Sequence, residues 1–229
     1  MGCEDLEEKR LNTASILGVH FHAVTMEQAV DLAMSRLRAR QQGYVVTPNP
    51  EIVDLCRRDS AFMGIVNHAT LVLPDGIGII YAAKILGETL CGKVAGIEFA
   101  ENLAAAMARE GMRLYLLGAK PGVAEQAGAN LCAKYPGLVL AGTHDGDFTD
   151  AQEAVEAINA CGGADVVFVC LGAPKQEKFI ADNMEDIHAT LFCGLGGSLD
   201  VFAGVAKRAP DIFIKLGLEW FYRLLKQPS

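Results

Sequence analysis

The chain has 229 residues and a mass of 24.4 kDa, enough for one large domain or two small ones. With 20 Lys and Arg against 28 Asp and Glu, its formal charge is −8 and its pI near 5.1, which excludes a globally basic nucleic-acid surface. Apolar residues at 51%, charged residues at 21% and a mean hydropathy of +0.24 exclude intrinsic disorder and suit a sheet buried on both faces.

The opening Met1-Gly-Cys-Glu-Asp-Leu-Glu-Glu is acidic where a secretory leader needs a basic region. Leu6 stands where a myristoylation motif needs a hydroxyl. No apolar run approaches the ~20 residues that span a bilayer. The seven cysteines (Cys3, Cys56, Cys91, Cys132, Cys161, Cys170, Cys193) form no C-x-x-C and read as reduced, mostly buried residues of a cytosolic protein.

Short apolar runs predict strands at Ser15–Phe21, Tyr44–Thr47, Leu71–Leu73, Arg113–Leu117, Leu138–Ala141, Val166–Leu171 and Leu191–Cys193. Helices are expected between most of these. Thr25-Met-Glu-Gln28 is a capping box before Met26, Ala29, Val30, Ala33, Met34 and Leu37 at helical spacing, and Thr149-Asp-Ala-Gln152 predicts a second box before a helix running toward Cys161. The alternation implies βαβ units and an α/β fold with a Rossmann-like, mostly parallel sheet flanked by helices. The expected organisation is one domain over 1–229, with a smaller N-terminal α/β lobe to about residue 92, a core over 93–206 and a C-terminal helix over 207–229. That last stretch carries Lys207, Arg208, Lys215, Arg223 and Lys226 against Asp211 and Glu219, together with Trp220, Phe221 and Tyr222. It is expected to be a basic, aromatic amphipathic helix on an acidic protein.

Ligands of open α/β sheets bind at the carboxyl ends of strands. The loops expected there are Thr47-Pro-Asn-Pro-Glu51, Pro74-Asp-Gly-Ile-Gly78, Gly118-Ala-Lys-Pro-Gly122, Gly172-Ala-Pro-Lys-Gln-Glu177 and Gly194-Leu-Gly-Gly-Ser-Leu-Asp200. Asn49 suits a helix cap with Pro50 at the first position, and Asp75 is either a turn residue or a carboxylate at a strand end. The turn at Gly118 feeds a helix N-terminus suited to phosphate, although it lacks the G-x-G-x-x-G spacing. Pro174 is placed to start a helix, and Lys175, Gln176 and Glu177 crowd its N-terminus, where a lysine opposes the dipole and favours an anionic ligand. Together these loops describe a site for a phosphate-bearing ligand such as a nucleotide. His20 and His22 share a strand face without a third metal ligand, Asp145-Gly-Asp147 is a short D-x-D common in turns, and no G-x-S-x-G elbow is present.

The chain resembles the WecG/TagA/CpsF glycosyltransferase family in nine ordered segments. These are Ile16-Leu-Gly-Val, Thr47-Pro-Asn-Pro-Glu-Ile-Val53, Leu73-Pro-Asp-Gly-Ile-Gly78, Lys93-Val-Ala-Gly96, Tyr115-Leu-Leu-Gly118, Gly172-Ala-Pro-Lys-Gln-Glu177, Gly194-Leu-Gly-Gly197, Lys207-Arg-Ala-Pro210 and Gly217-Leu-Glu-Trp-Phe-Tyr-Arg-Leu. The resemblance implies an inverting, metal-independent transferase without a cofactor. It would move N-acetylmannosamine or a related sugar from UDP to a polyprenyl-diphosphate-linked N-acetylglucosamine at the cytoplasmic membrane face, in teichoic acid, common-antigen or capsule synthesis. By the same resemblance Asp75 is the base, and Thr47, Asn49, Gln176 and Glu177 line the sugar and diphosphate. Lys93 and the turns at Gly118, Gly172, Pro174, Lys175, Gly194, Gly196 and Gly197 would hold the UDP, with Asp200 against the nucleoside.

In two places the chain departs from the family pattern. Lys93 and Glu98 stand where relatives carry Arg and Asp, and Lys lacks the planar fork that grips a diphosphate with two bonds. Relatives also continue into a basic tail implicated in membrane contact and in completing the site, whereas this sequence stops at Gln227-Pro-Ser229. The expected partners are the UDP-sugar, the lipid-linked acceptor, a membrane surface through the C-terminal helix, and further copies of the chain in a homo-oligomer. Two rival readings are an NAD(P)-dependent oxidoreductase on the same architecture and a non-catalytic UDP-sugar binder.

Overall fold

A computed structural model describes residues 12–206. The acidic opening residues and the C-terminal stretch from Lys207, with its expected amphipathic helix, lie outside the described residues.

The first predicted strand is two. β1 (Thr13–Ile16) and β2 (Val19–His22) pair antiparallel through a two-residue turn in which Leu17 and Gly18 have φ of 52° and 91°. Two consecutive positive φ values match the twist of a tight hairpin, and the glycine in the second position was the signal for it. A lone hairpin is marginal in water; this one is held by Ile16, Val19 and Phe21, each fully buried and each contributing about 1.5–3 kcal/mol.

α1 (Met26–Ala39) opens on the expected capping box at Thr25 and Gln28. Then follow β3 (Gly43–Val46), α2 (Pro50–Arg58), α3 (Ser60–Asn67), β4 (Leu71–Val72), α4 (Ile77–Leu86) and α5 (Gly96–Arg109). The remaining units are β5 (Arg113–Gly118) with α6 (Val123–Lys134), β6 (Val139–His144) with α7 (Ala151–Ala160), β7 (Ala164–Cys170) with α8 (Lys175–Asn183), and β8 (Ala189–Gly194) with α9 (Ser198–Phe202). The second expected capping box gives way to a side-chain cap one residue further on. Asp150 rather than Thr149 caps α7, its carboxylate accepting from the Gln152 amide, as the stronger cap of the two.

Six strands form one parallel sheet in the order β4-β3-β8-β7-β5-β6. Strands from both sides of residue 92 therefore share one sheet, because β3 pairs with β8. Residues alternate between its faces. Val45, Leu114, Leu116, Val166, Phe168 and Leu191 pack under α1, α5, α6 and α9; Tyr44, Val46, Tyr115, Leu117, Val167, Val169 and Phe192 pack under α2, α3, α4, α7, α8 and the hairpin. The crossover hand explains this division. Steps toward β6 pass over the first face and steps toward β4 over the second, as right-handed connections require. The helices after β5 and β7, which are neighbours, consequently leave on opposite faces, and so do those after β7 and β8. These divergences open a crevice at the carboxyl edge of the sheet.

Candidate active site

The register brings the strand ends level. Val46 and Val169 both lie beside Gly194, and Gly118 lies beside Cys170. Every loop singled out from the sequence is therefore on one edge, and the loops are joined there by hydrogen bonds.

The group after β3 and β4 is compact. The Asp75 amide donates to the Pro48 carbonyl (3.2 Å), and the Val94 amide donates to the Pro74 carbonyl (2.8 Å), which ties the Lys93 segment to the Asp75 loop. Asp75 is half-buried, and its Oδ2 accepts the amide of Gly96, the first residue of α5, at 3.1 Å. A hydrogen bond to a charged acceptor contributes about 1.5–3 kcal/mol, and the helix N-terminus favours the negative charge. Thr47, 9% exposed, donates from Oγ1 to the Gly194 carbonyl at 3.3 Å. It also packs on α5: a Cβ on Gly96 would lie 2.8 Å from Thr47 Oγ1. Only glycine permits this approach, which places Asp75, Gly96, Thr47 and Gly194 in one contact set. Asn49 is the cap of α2, its Oδ1 accepting from the Ile52 amide at 2.9 Å with Pro50 next.

A second group lies toward β5. A Cβ on Gly118 would collide with the Cys170 carbonyl, so β5 and β7 meet closely there. Gly172 accepts the Gln176 amide at 2.9 Å, and Pro174, after a cis Ala173–Pro174 bond, immediately precedes α8. Lys175 is exposed, with Nζ 3.4 Å from the Gly146 carbonyl and 4.7 Å from the centre of the Phe148 ring. Asp75 and Gly118 stand four strands apart, about 19 Å at ~4.8 Å per strand. The two groups are therefore too far apart to meet at a single phosphate.

Between them lies the turn after β8. Gln176 and Glu177 are 2% and 1% exposed, buried beneath this turn instead of lining the cleft. Gln176 Oε1 accepts the Gly196 amide (2.9 Å), and its Nε2 donates to Glu177 Oε1 (2.8 Å). Burial pushes the Glu177 carboxyl above its usual range, with the Gln176 bond opposing this. Burial also pushes the neighbouring Cys56 thiol up to about 11, with Glu177 adding to the shift. Asp200 sits half-buried in the first turn of α9 beside Gly197.

Other candidates have local roles. Asp145 Oδ1 accepts the Asp147 amide at 3.0 Å, so the D-x-D is a turn. The His20 amide bonds Asn67, and His22 Nδ1 accepts the Val72 amide at 2.9 Å. Among the described residues no group of three or more His, Cys, Asp or Glu is placed to hold a metal. Sequence reasoning missed Gly96 as a site residue. Its signal was a glycine at the end of Lys93-Val-Ala-Gly96, directly before a helical pattern.

The fold is that of an open parallel α/β protein with a group of loops gathered at the carboxyl edge of its sheet. The chain belongs to the glycosyl transferase WecG/TagA/CpsF family, whose profile matches residues 14–229. It is 36% identical over 222 residues to the N-acetylglucosaminyldiphosphoundecaprenol N-acetyl-beta-D-mannosaminyltransferase of Staphylococcus aureus strain NCTC 8325, covering 95% of this chain and 87% of the relative. The protein of the same description from strain MRSA252 is 35% identical over the same length.

Proposed function

We propose that the protein is a UDP-sugar-dependent N-acetylmannosaminyltransferase, which glycosylates a polyprenyl-diphosphate-linked N-acetylglucosamine in the synthesis of teichoic acid or a related surface polymer. The carrying observation is the contact set of Asp75, Gly96, Thr47 and Gly194 at the carboxyl edge, in a chain of this family. The donor lies along the edge with its nucleoside toward the Gly118 and Gly172 turns and Asp200. Its diphosphate lies over Gly194–Gly197 and Lys93, and its sugar lies toward Thr47, Asn49 and Asp75.

Transfer is one displacement at the anomeric carbon. The acceptor hydroxyl attacks opposite the diphosphate, a new C–O bond forms, and the bond to UDP breaks with inversion. Asp75 takes the hydroxyl proton, a role that supplies about 10²–10⁴ in rate. UDP leaves with the electron pair, its charge met by Lys93, backbone amides of the glycine turns and helix N-termini. Family membership leaves the oxidoreductase alternative without support.

No helix among the described residues is long and apolar enough to cross a membrane. In this reading the lipid-linked acceptor is met at the inner membrane face, and the stretch from Lys207, basic and aromatic in sequence, is the proposed contact. The exposed Tyr81, Ile85 and Leu86 of α4 support the homo-oligomer. Vesicle co-sedimentation and sedimentation velocity test these two points. The function itself is tested by incubating the full chain with labelled UDP-sugars and the lipid-linked acceptor. Transfer from UDP-N-acetylmannosamine is expected; binding of UDP-sugar without transfer would establish the non-catalytic reading instead.

A further inference from the structure

Gln176 and Glu177 are the most deeply buried polar side chains among the described residues, and Glu177 carries a feature with no structural return. Its Oε2 is buried without any hydrogen-bond partner among the described residues. An unpaired buried carboxylate oxygen is costly, so its retention beside the β8 turn calls for a compensating role.

We propose that Glu177 is a positioning residue, whose carboxylate orients the Gln176 carboxamide and through it locks the Gly194–Gly197 turn that receives the donor's diphosphate. This rests on the reading of that turn given above. A carboxamide can present either its oxygen or its NH₂ to a neighbour. Rotated by half a turn, Gln176 would set NH₂ against the Gly196 N–H, donor against donor. Glu177 Oε1, an acceptor, selects the orientation in which Nε2 faces the carboxylate at 2.8 Å and Oε1 faces Gly196 at 2.9 Å.

The two bonds form a chain in which each polarises the next, strengthening the hold on the turn. The carboxamide also lies flat on the strand end: a Cβ on Gly194 would sit 3.2 Å from Gln176 Nε2. Thr47 holds the same Gly194 from the other side through its carbonyl. Glu177 reaches no ligand itself, because it is 1% exposed.

The test uses the full chain with Glu177→Leu, Glu177→Gln, Gln176→Leu and the Leu–Leu double variant. Amide hydrogen exchange over 194–197 is read without ligand, and UDP affinity is read by calorimetry. Glu177→Leu is expected to speed exchange in the turn and to weaken UDP about tenfold, the scale of one hydrogen bond. Its donor KM rises while its acceptor KM stays. Glu177→Gln retains an acceptor oxygen and restores both readouts, and the double variant is no worse than either single one. Unchanged exchange in Glu177→Leu, failure of Gln to rescue, or strictly additive losses would overturn the proposal. If Leu at 177 prevents folding, Gln176→Leu breaks the same chain from its other end, and its exchange at 194–197 decides. Should the wild-type chain bind no UDP, the functional reading fails, whereas the exchange result still judges the positioning role.

Discussion

Asp75 Oδ2 and the amide of Gly96 are 3.1 Å apart, so the carboxylate at the end of β4 rests on the first turn of α5. This bond aims the side chain without requiring its proton chemistry. Asp75→Asn preserves the shape and an oxygen acceptor while removing the basic group. Turnover is expected to fall by about 10²–10⁴, with UDP affinity unchanged. Parallel transfer assays and calorimetry check this, and wild-type turnover in the variant would remove Asp75 from the chemistry.

Gly96→Ala places a methyl 2.8 Å from Thr47 Oγ1 and 3.3 Å from both its Cβ and its Cγ2. Overpacking of this kind costs about 1–3 kcal/mol, and in a chain of this size each kcal/mol lowers Tm by about 2–4 °C. The displaced Thr47 and the shifted Gly96 amide should also reduce transfer. A melting curve and a turnover assay read the two effects, and an unaltered melting point would show that the contact is looser than described.

Lys93 is on the segment tied to the Asp75 loop through the Val94–Pro74 bond. Lys93→Ala is expected to raise the KM for the UDP-sugar while leaving the acceptor KM unchanged. Lys93→Arg, which offers a two-pronged grip on a diphosphate, should match or exceed the natural residue. Steady-state kinetics of the two variants distinguish a diphosphate contact from a surface lysine, for which both would behave like the wild type.

His22 gives the stability a pH dependence. Burial lowers its folded pKa below 6.5, and protonating Nδ1 would also remove the acceptor of the Val72 amide. The unfolded chain therefore takes up the proton first. The full contribution is present above pH 6.5 and is lost as pH falls from 6.5 through the lowered folded value. Melting temperatures between pH 7.5 and about 5 should decline less steeply in His22→Gln, which accepts a hydrogen bond without titrating. Parallel curves for the two proteins would assign the acid sensitivity elsewhere.

The parallel core was legible because its strands are short, β-branched runs buried on both faces, such as Val166–Cys170, separated by helical patterns. The hairpin was missed although Gly18 marks its turn, because Ile16, Leu17 and Val19 around it read as one apolar strand. At the carboxyl edge, the spacing of glycines and prolines marked the loops after β3, β4, β5, β7 and β8, but not the one after β6, whose Gly146 carbonyl lies 3.4 Å from Lys175 Nζ. It could not show which side chains turn inward. Gln176 and Glu177 look like exposed polar residues at a helix start, yet β8 and its turn cover them. Nor could it reveal that Gly96, far from Thr47 in the chain, is the surface on which that threonine packs.

The central place of β8 has a consequence for how the molecule is made. Thr47 and its partner Gly194 are 147 residues apart, and β3 has no neighbour on that side until β8 arrives. During synthesis the β3–β4 pair emerges early and must wait, half-covered, for one of the last strands to insert beside it. Such late, long-range closure slows folding and leaves an open strand edge available for wrong pairing. The proposed donor cleft and the completed sheet therefore come into being in the same step, so a nascent chain cut short before β8 would have neither.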